Sequence, residues 1–210
     1  MLIDEETYKL PTENYIPIET IKTRIVLGNT FNHDMKHMIG WKHRYNGKFK
    51  RTAAFTIDAA GSVYKHFDPK YFSRFFNNLE MDQKTIVILM ENDGWLQKDH
   101  QNNRYITWLG DIYNQPTKVV EKRWRGHDYW TPYTKEQLES ATELVKELCK
   151  EFNIPTMAVS HNTKIENVGD IHGVLYRSNI DRQYTDISPS WNFDEFKNKI
   201  ELNKNYETEH

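Results

Sequence analysis

The stretch that most constrains this chain is Thr85-Ile-Val-Ile-Leu-Met90, which is apolar almost throughout and rich in β-branched side chains. Such a run reads as a central strand covered on both faces, and a strand of that kind needs a sheet with helices packed above and below. The expected fold class is therefore α/β, a central mixed β-sheet flanked by helices.

The neighbouring signals fit around that strand. Thr23-Arg-Ile-Val-Leu27 is a second buried strand, stopping at Gly28-Asn29. Ala53–Ile57 and Ser62–His66 flank Asp58-Ala-Ala-Gly61, where Gly61 supplies the positive φ of a tight reversal, so a hairpin is expected. His33 to His43 reads as a short helix ended by Gly47, and Thr156–Ser160 as a short strand after Pro155. Thr134-Lys-Glu-Gln137 has the form of a capping box, and Leu138, Ala141, Val145, Leu148 and Phe152 follow at steps of three or four, which predicts a long amphipathic helix. Asn192 with Glu195 begins a last short helix running to about Leu202.

At 210 residues the chain has room for one well-buried core, so a single domain is expected over residues 23–202. Residues 1–22, with Pro11 and Pro17, read as an irregular arm, and 203–210 as a polar tail. Residues 93–133 alternate polar and aromatic side chains without a sustained period and read as a long excursion from the sheet.

Composition excludes several functions. With 28 Lys+Arg against 30 Asp+Glu there is no overall field to draw the chain to nucleic acid or an anionic membrane, and neither is expected as a partner. A lone cysteine, Cys149, rules out an intrachain disulfide and a four-thiolate zinc site. The acidic start Met1-Leu-Ile-Asp-Glu-Glu lacks a secretory h-region, which predicts synthesis in the cytoplasm, with virion association or release by lysis both open.

Four stretches together resemble the N-acetylmuramoyl-L-alanine amidase family 2 and peptidoglycan-recognition domains. They are Arg24-Ile-Val-Leu-Gly-Asn-Thr30, Ala53 through Tyr64, Tyr133 through Pro155, and Gly173-Val-Leu-Tyr-Arg-Ser-Asn-Ile180 leading to Thr185-Asp-Ile-Ser-Pro-Ser-Trp191. The resemblance implies cleavage of the amide between the muramic acid lactyl group and L-alanine by a zinc-activated water. Zinc chemistry of that kind needs three neutral-His, carboxylate or thiolate ligands and one open position. By this registration the ligand positions hold Gly28, Arg177 and Asp186, so only Asp186 could bind a metal. The supporting positions fall on Ala53, Leu89 and Tyr184, and a shift of two in the central strand would bring in Glu91.

An expectation follows for the site: no metal, an Arg177–Asp186 salt bridge filling the cavity, and Asn29, Glu91, Tyr184, Trp124 and Trp130 as cleft candidates, with catalytic residues unassigned. His33 and His37, four apart, and a displaced site joining His161 or His172 to Asp186 are the alternatives that keep a metal. Lys118–Tyr133 mixes basic and aromatic residues as sugar- or single-strand-binding surfaces do, and as a loop packed over a sheet also does. Three functions remain compatible with the sequence. The first is a degenerate amidase-like domain that needs no cofactor and binds peptidoglycan fragments or a phage structural partner. The second is an active amidase with zinc in a rearranged site. The third is a protein interaction module without cell-wall affinity.

Overall fold

The structure is a computed structural model that describes residues 1–161, 163 and 165–201, without the side chains of Lys36, His37 and Ile39. The expected tail 203–210 and the far end of the last helix at Leu202 lie outside the described residues.

Thr85–Met90 is a central strand, buried at every position. In chain order the main-sheet strands are β1 (Ile3–Asp4), β2 (Arg24–Asn29), β3 (Phe55–Ile57), β4 (Val63–Lys65), β5 (Thr85–Met90) and β10 (Gly173–Tyr176). They lie in the order β1-β4-β3-β5-β2-β10. β3, β5, β2 and β10 run parallel, while β3 and β4 form the expected antiparallel hairpin. This is a mixed α/β sheet, as expected.

The main helix α3 (Lys135–Glu151) covers one face, and its cap is the predicted box: the Thr134 hydroxyl accepts from the Gln137 amide at 3.0 Å, while the Gln137 side chain accepts from the Thr134 amide at 3.1 Å. Such a cap stabilises a helix by about 1 kcal/mol. Leu138, Ala141, Leu144, Val145 and Leu148 are buried along its inner stripe. The last helix, α5 (Phe193–Glu201), packs against α3 and buries Phe196 and Ile200. Shorter helices are α1 (Lys36–Trp41), α2 (Leu79–Lys84) and α4 (Arg177–Ile180).

Three local expectations change. The His33–His43 helix is confined to Lys36–Trp41. Thr156–Ser160 makes a single bridge, Ala158 with Val174, in which the Val159 amide donates to the Val174 carbonyl and the Val174 amide to the Met157 carbonyl, each at 2.9 Å. The arm is anchored rather than peripheral: Ile3–Asp4 pairs with β4, Leu10 is in the core, and the buried Asn14 side chain donates to the carbonyls of Trp41, Gly47 and Phe49.

Residues 93–133 form a second sheet of their own. Its strands β6 (Trp95–Asp99), β7 (Arg104–Thr107), β8 (Val120–Trp124) and β9 (His127–Trp130) are antiparallel in the order β7-β6-β9-β8. Most of its positions are exposed or half-buried, and aromatic packing holds it, with Trp130 fully buried and Trp124 against it at 5.5 Å.

Candidate functional site

Open sheets with parallel strands bind ligands beyond the carboxyl ends of those strands. Here β5, β2 and β10 are adjacent, and register places Gly28 beside Leu89 and Tyr176 beside Leu27. Arg177 follows Tyr176 directly, so it enters next to Gly28.

The loop after α4 returns Asp186 to the same point. Its carboxylate is fully buried, accepts from the Asn29 amide at 2.9 Å, and lies 3.5 Å from Nη1 of Arg177. Burial pushes the Asp186 carboxyl above the ordinary carboxylate range, and the Arg177 charge opposes that rise. Gly28 is what permits the approach: a Cβ there would sit 2.8 Å from the Asp186 carboxylate and 3.2 Å from Leu89. A side chain at position 28 and the carboxylate at this distance exclude each other.

A chain of hydrogen bonds closes the site from behind. Tyr133 donates to the Asn29 side-chain oxygen at 2.7 Å and accepts from the Ser188 amide at 3.2 Å, while the Ser188 and Ser190 hydroxyls pair at 2.7 Å. Desolvation raises the Tyr133 hydroxyl well above the normal tyrosine range, so it remains a donor at any working pH. The second sheet contributes a clamp: Arg125, at the β8–β9 turn, donates to the carbonyls of Ser178, Asp181 and Tyr184 and fixes the loop between Arg177 and Asp186.

In front of these residues is an open groove of about 730 Å³. Asn29, Arg177 and Tyr184 line it, together with Trp95 and Trp108 from the second sheet and its loop. Trp108 is held in place by an Nε1 hydrogen bond to the Phe31 carbonyl at 2.7 Å.

The remaining cleft candidates fall elsewhere. Trp130 is completely buried and donates to the Lys122 carbonyl, which puts it out of a ligand's reach. Trp124 packs on Trp130 and on His161 at 4.8 Å, outside the groove lining. Glu91 lies past the end of β5 and accepts from the Ala59 amide at 2.8 Å, steadying the hairpin turn; burial raises its carboxyl. Sequence reasoning does not find Trp95 and Trp108 as groove residues, although Trp95 comes only a few residues after the central strand. Nor does it find the pair of His33 Nδ1 with the buried Asp93 at 3.0 Å, since no spacing rule links a loop after β2 to the loop after β5.

Zinc fits this donor set poorly. Gly28 has no donor, Arg177 is a permanent cation, and Asp186 is left as a single carboxylate. Among the described residues no three His, Cys, Asp or Glu side chains gather to hold a metal. The His33/His37 alternative involves the His37 side chain, which lies outside the described residues. His161 stacks on Phe193 at 3.9 Å, and burial lowers its pKa to about 4.

The sequence profile of the N-acetylmuramoyl-L-alanine amidases matches residues 19–173. The chain belongs to the N-acetylmuramoyl-L-alanine amidase family. Solved amidases share the fold at low identity. The amidase LysC from Clostridium intestinale URNW is 13% identical with a TM-score of 0.55, the alignment covering 96% of this chain and 98% of that one. A mutant endolysin from Bacillus subtilis is 15% identical with a TM-score of 0.53, covering 95% and 99%. The E. coli amidase AmiD, solved with anhydro-N-acetylmuramic acid-L-Ala-D-gamma-Glu-L-Lys, is 12% identical with a TM-score of 0.52, covering 92% of this chain and 66% of that one. No curated protein matches the sequence. The amidase profile ends at Gly173, so Arg177 and Asp186 both lie beyond the matched stretch. No described helix is long and apolar enough to cross a membrane.

Proposed function

We propose that this amidase-family domain binds peptidoglycan fragments in the groove and has given up zinc-dependent hydrolysis. The single observation that supports the loss is the Arg177–Asp186 ion pair beside Gly28, which puts a fixed organic cation where the family's chemistry asks for a metal cation. Zinc would have to displace a guanidinium and gain two further donors, and nothing at Gly28 can supply one. Binding is supported by the open groove, by Trp95 and Trp108 along it, and by the muropeptide that AmiD carries in its own complex. Indole faces give sugar rings and peptide stems broad apolar contact. The domain then acts as a recognition or structural module, with peptidoglycan or a phage structural protein as its partner.

The test is co-sedimentation of the full chain with purified insoluble peptidoglycan. Retention that a chelator leaves unchanged is the expected result, and a chain that stays in the supernatant contradicts the reading.

Hydrolysis by a rearranged site is the second reading. What favours it is family membership together with His33, Asp93 and Glu91 at one end of the central strand, near enough for the His33 charge to act on both carboxyls. Zinc would be its cofactor. Dye release from labelled peptidoglycan separates the two readings, since only the second gives soluble dye.

A further inference from the structure

The groove wall has a one-sided chemistry. Arg44, Arg51 and Arg177 line it, and no Asp or Glu does among the described residues. That concentration is local, because the chain as a whole carries a net charge of -2. Arg44 and Arg51 are exposed, and among the described residues neither is within ion-pair distance of a carboxylate. Arg51 acts on the buried Asp82 only at longer range.

Arg177 is held but poorly satisfied. Its guanidinium carbon lies 4.0 Å from the Tyr184 ring centroid and 5.1 Å from that of Phe75, so two aromatic rings pack against it. Its contact with Asp186, at 3.5 Å, is longer than the ~2.8 Å of a strong charge-assisted hydrogen bond. Its Nε has no partner among the described residues. Asn29, 3% exposed and also on the groove wall, has a side-chain Nδ2 with no partner among the described residues. Each of these unused groups is a donor, and a buried donor without an acceptor costs about 1–3 kcal/mol. A planar guanidinium packed against two rings, with a donor left over, suits a carboxylate's pair of oxygens.

We propose that the groove is a carboxylate-recognition site in which Arg177 anchors a ligand carboxylate and Arg44 and Arg51 hold further negative charge. The ligand class is an acidic glycopeptide with free carboxylates. This rests on the peptidoglycan-binding reading and narrows it. A stem of the L-Ala-D-γ-Glu-L-Lys type suits the site because γ-linkage leaves the glutamate α-carboxylate free, as is the terminal carboxylate of the lysine.

The experiment is calorimetric titration of the full chain with a soluble muramyl tripeptide, in its free-acid form and with the carboxylates amidated, at low and high salt. Amidation alters the ligand and leaves the protein's folding untouched. The free acid is expected to bind about tenfold or more tightly than the amide, the equivalent of one charge-assisted hydrogen-bonded contact. Its affinity should fall with salt, as screening of exposed arginines requires. The double variant R44Q/R51Q, altered only at exposed side chains, should weaken binding severalfold and flatten the salt dependence. Arg177→Lys keeps the charge and loses the fork, and it should lose most of the preference for acid over amide.

Equal affinity for acid and amide overturns the carboxylate inference while leaving peptidoglycan binding intact. Retention of the chain by insoluble peptidoglycan, with neither soluble tripeptide bound, overturns it in the same way. Failure of all three ligands removes the binding reading, and this inference with it.

Discussion

Two cation–carboxylate pairs stand at the carboxyl end of the sheet, and they are built on opposite plans. Arg177 and Asp186 join a permanent cation to a fully buried carboxylate, beside a glycine that has no room for a side chain. His33 and Asp93 join an imidazole, 41% exposed, to a carboxylate that is 3% exposed. The first pair has a fixed charge and is locked in by the Asn29, Tyr133 and Ser188 bonds and by the Arg125 clamp. The second meets solvent through its imidazole. The position beside Gly28 thus sets a permanent charge on the groove wall, whereas at the end of the central strand only the His33 side of the pair meets solvent.

Breaking the first pair should have the largest effect. Arg177→Met leaves Asp186 buried without its cation, and loss of one partner of a buried pair costs roughly 3 kcal/mol. Burial already raises the Asp186 carboxyl, and loss of Arg177 raises it further. A carboxyl whose folded pKa lies above its unfolded value adds most to stability below the unfolded value and loses that contribution as pH climbs through the folded one. The variant's deficit, measured by denaturant unfolding, should therefore be greatest at neutral pH and shrink in acid as Asp186 takes up a proton. A deficit independent of pH would mean that the cation has no electrostatic role there.

Gly28→Ala comes next, at about 2 kcal/mol, because overpacking forces Asp186 and Leu89 to move. Unfolding curves check this, and parity with the parent protein would show that the carboxylate does not need its close seat.

Lys22 marks the limiting case of a buried cation with no carboxylate in contact. Its ammonium donates to the Thr20 hydroxyl and to the carbonyls of Tyr71 and Gln83, and desolvation lowers its pKa to about 7. Because the folded value is depressed, its contribution to stability rises with pH from about 7 toward the unfolded value, with a slope of at most ~1.4 kcal/mol per pH unit. Lys22→Met should flatten that part of the stability–pH curve; an unaltered slope would remove Lys22 as its source.

The smallest effect belongs to the exposed pair. His33→Ala should cost under about 1 kcal/mol, because solvent screens a half-exposed partner. Its loss also removes the charge that opposes the burial-driven rise of the Asp93 carboxyl. Thermal unfolding gives the check, and a loss as large as that of Arg177→Met would erase the contrast between the pairs.

The main sheet is legible from sequence because each element carries a strong local signal. Thr85–Met90 has no polar face, Thr134 and Gln137 form their cap within one turn, and Asp58–Gly61 closes a hairpin by itself. The second sheet is not legible because its strands mix aromatic and charged side chains without a clean apolar face, and a bulge between Glu121 and Trp124 breaks the alternation. At the site, the meeting of Gly28, Arg177 and Asp186 can be read only through family registration, since the residues lie far apart in sequence and no periodicity joins them. Composition alone draws Trp124 and Trp130 toward the cleft, whereas the order β7-β6-β9-β8 buries Trp130 and brings Trp95 and Trp108 forward instead.

The most direct measurement is the zinc content of the purified full chain after equilibration with excess zinc, read beside dye release from labelled peptidoglycan with and without chelator. Substoichiometric metal and no chelator-sensitive release are expected. One tightly held zinc per chain, with release that chelator abolishes and zinc restores, would contradict that expectation.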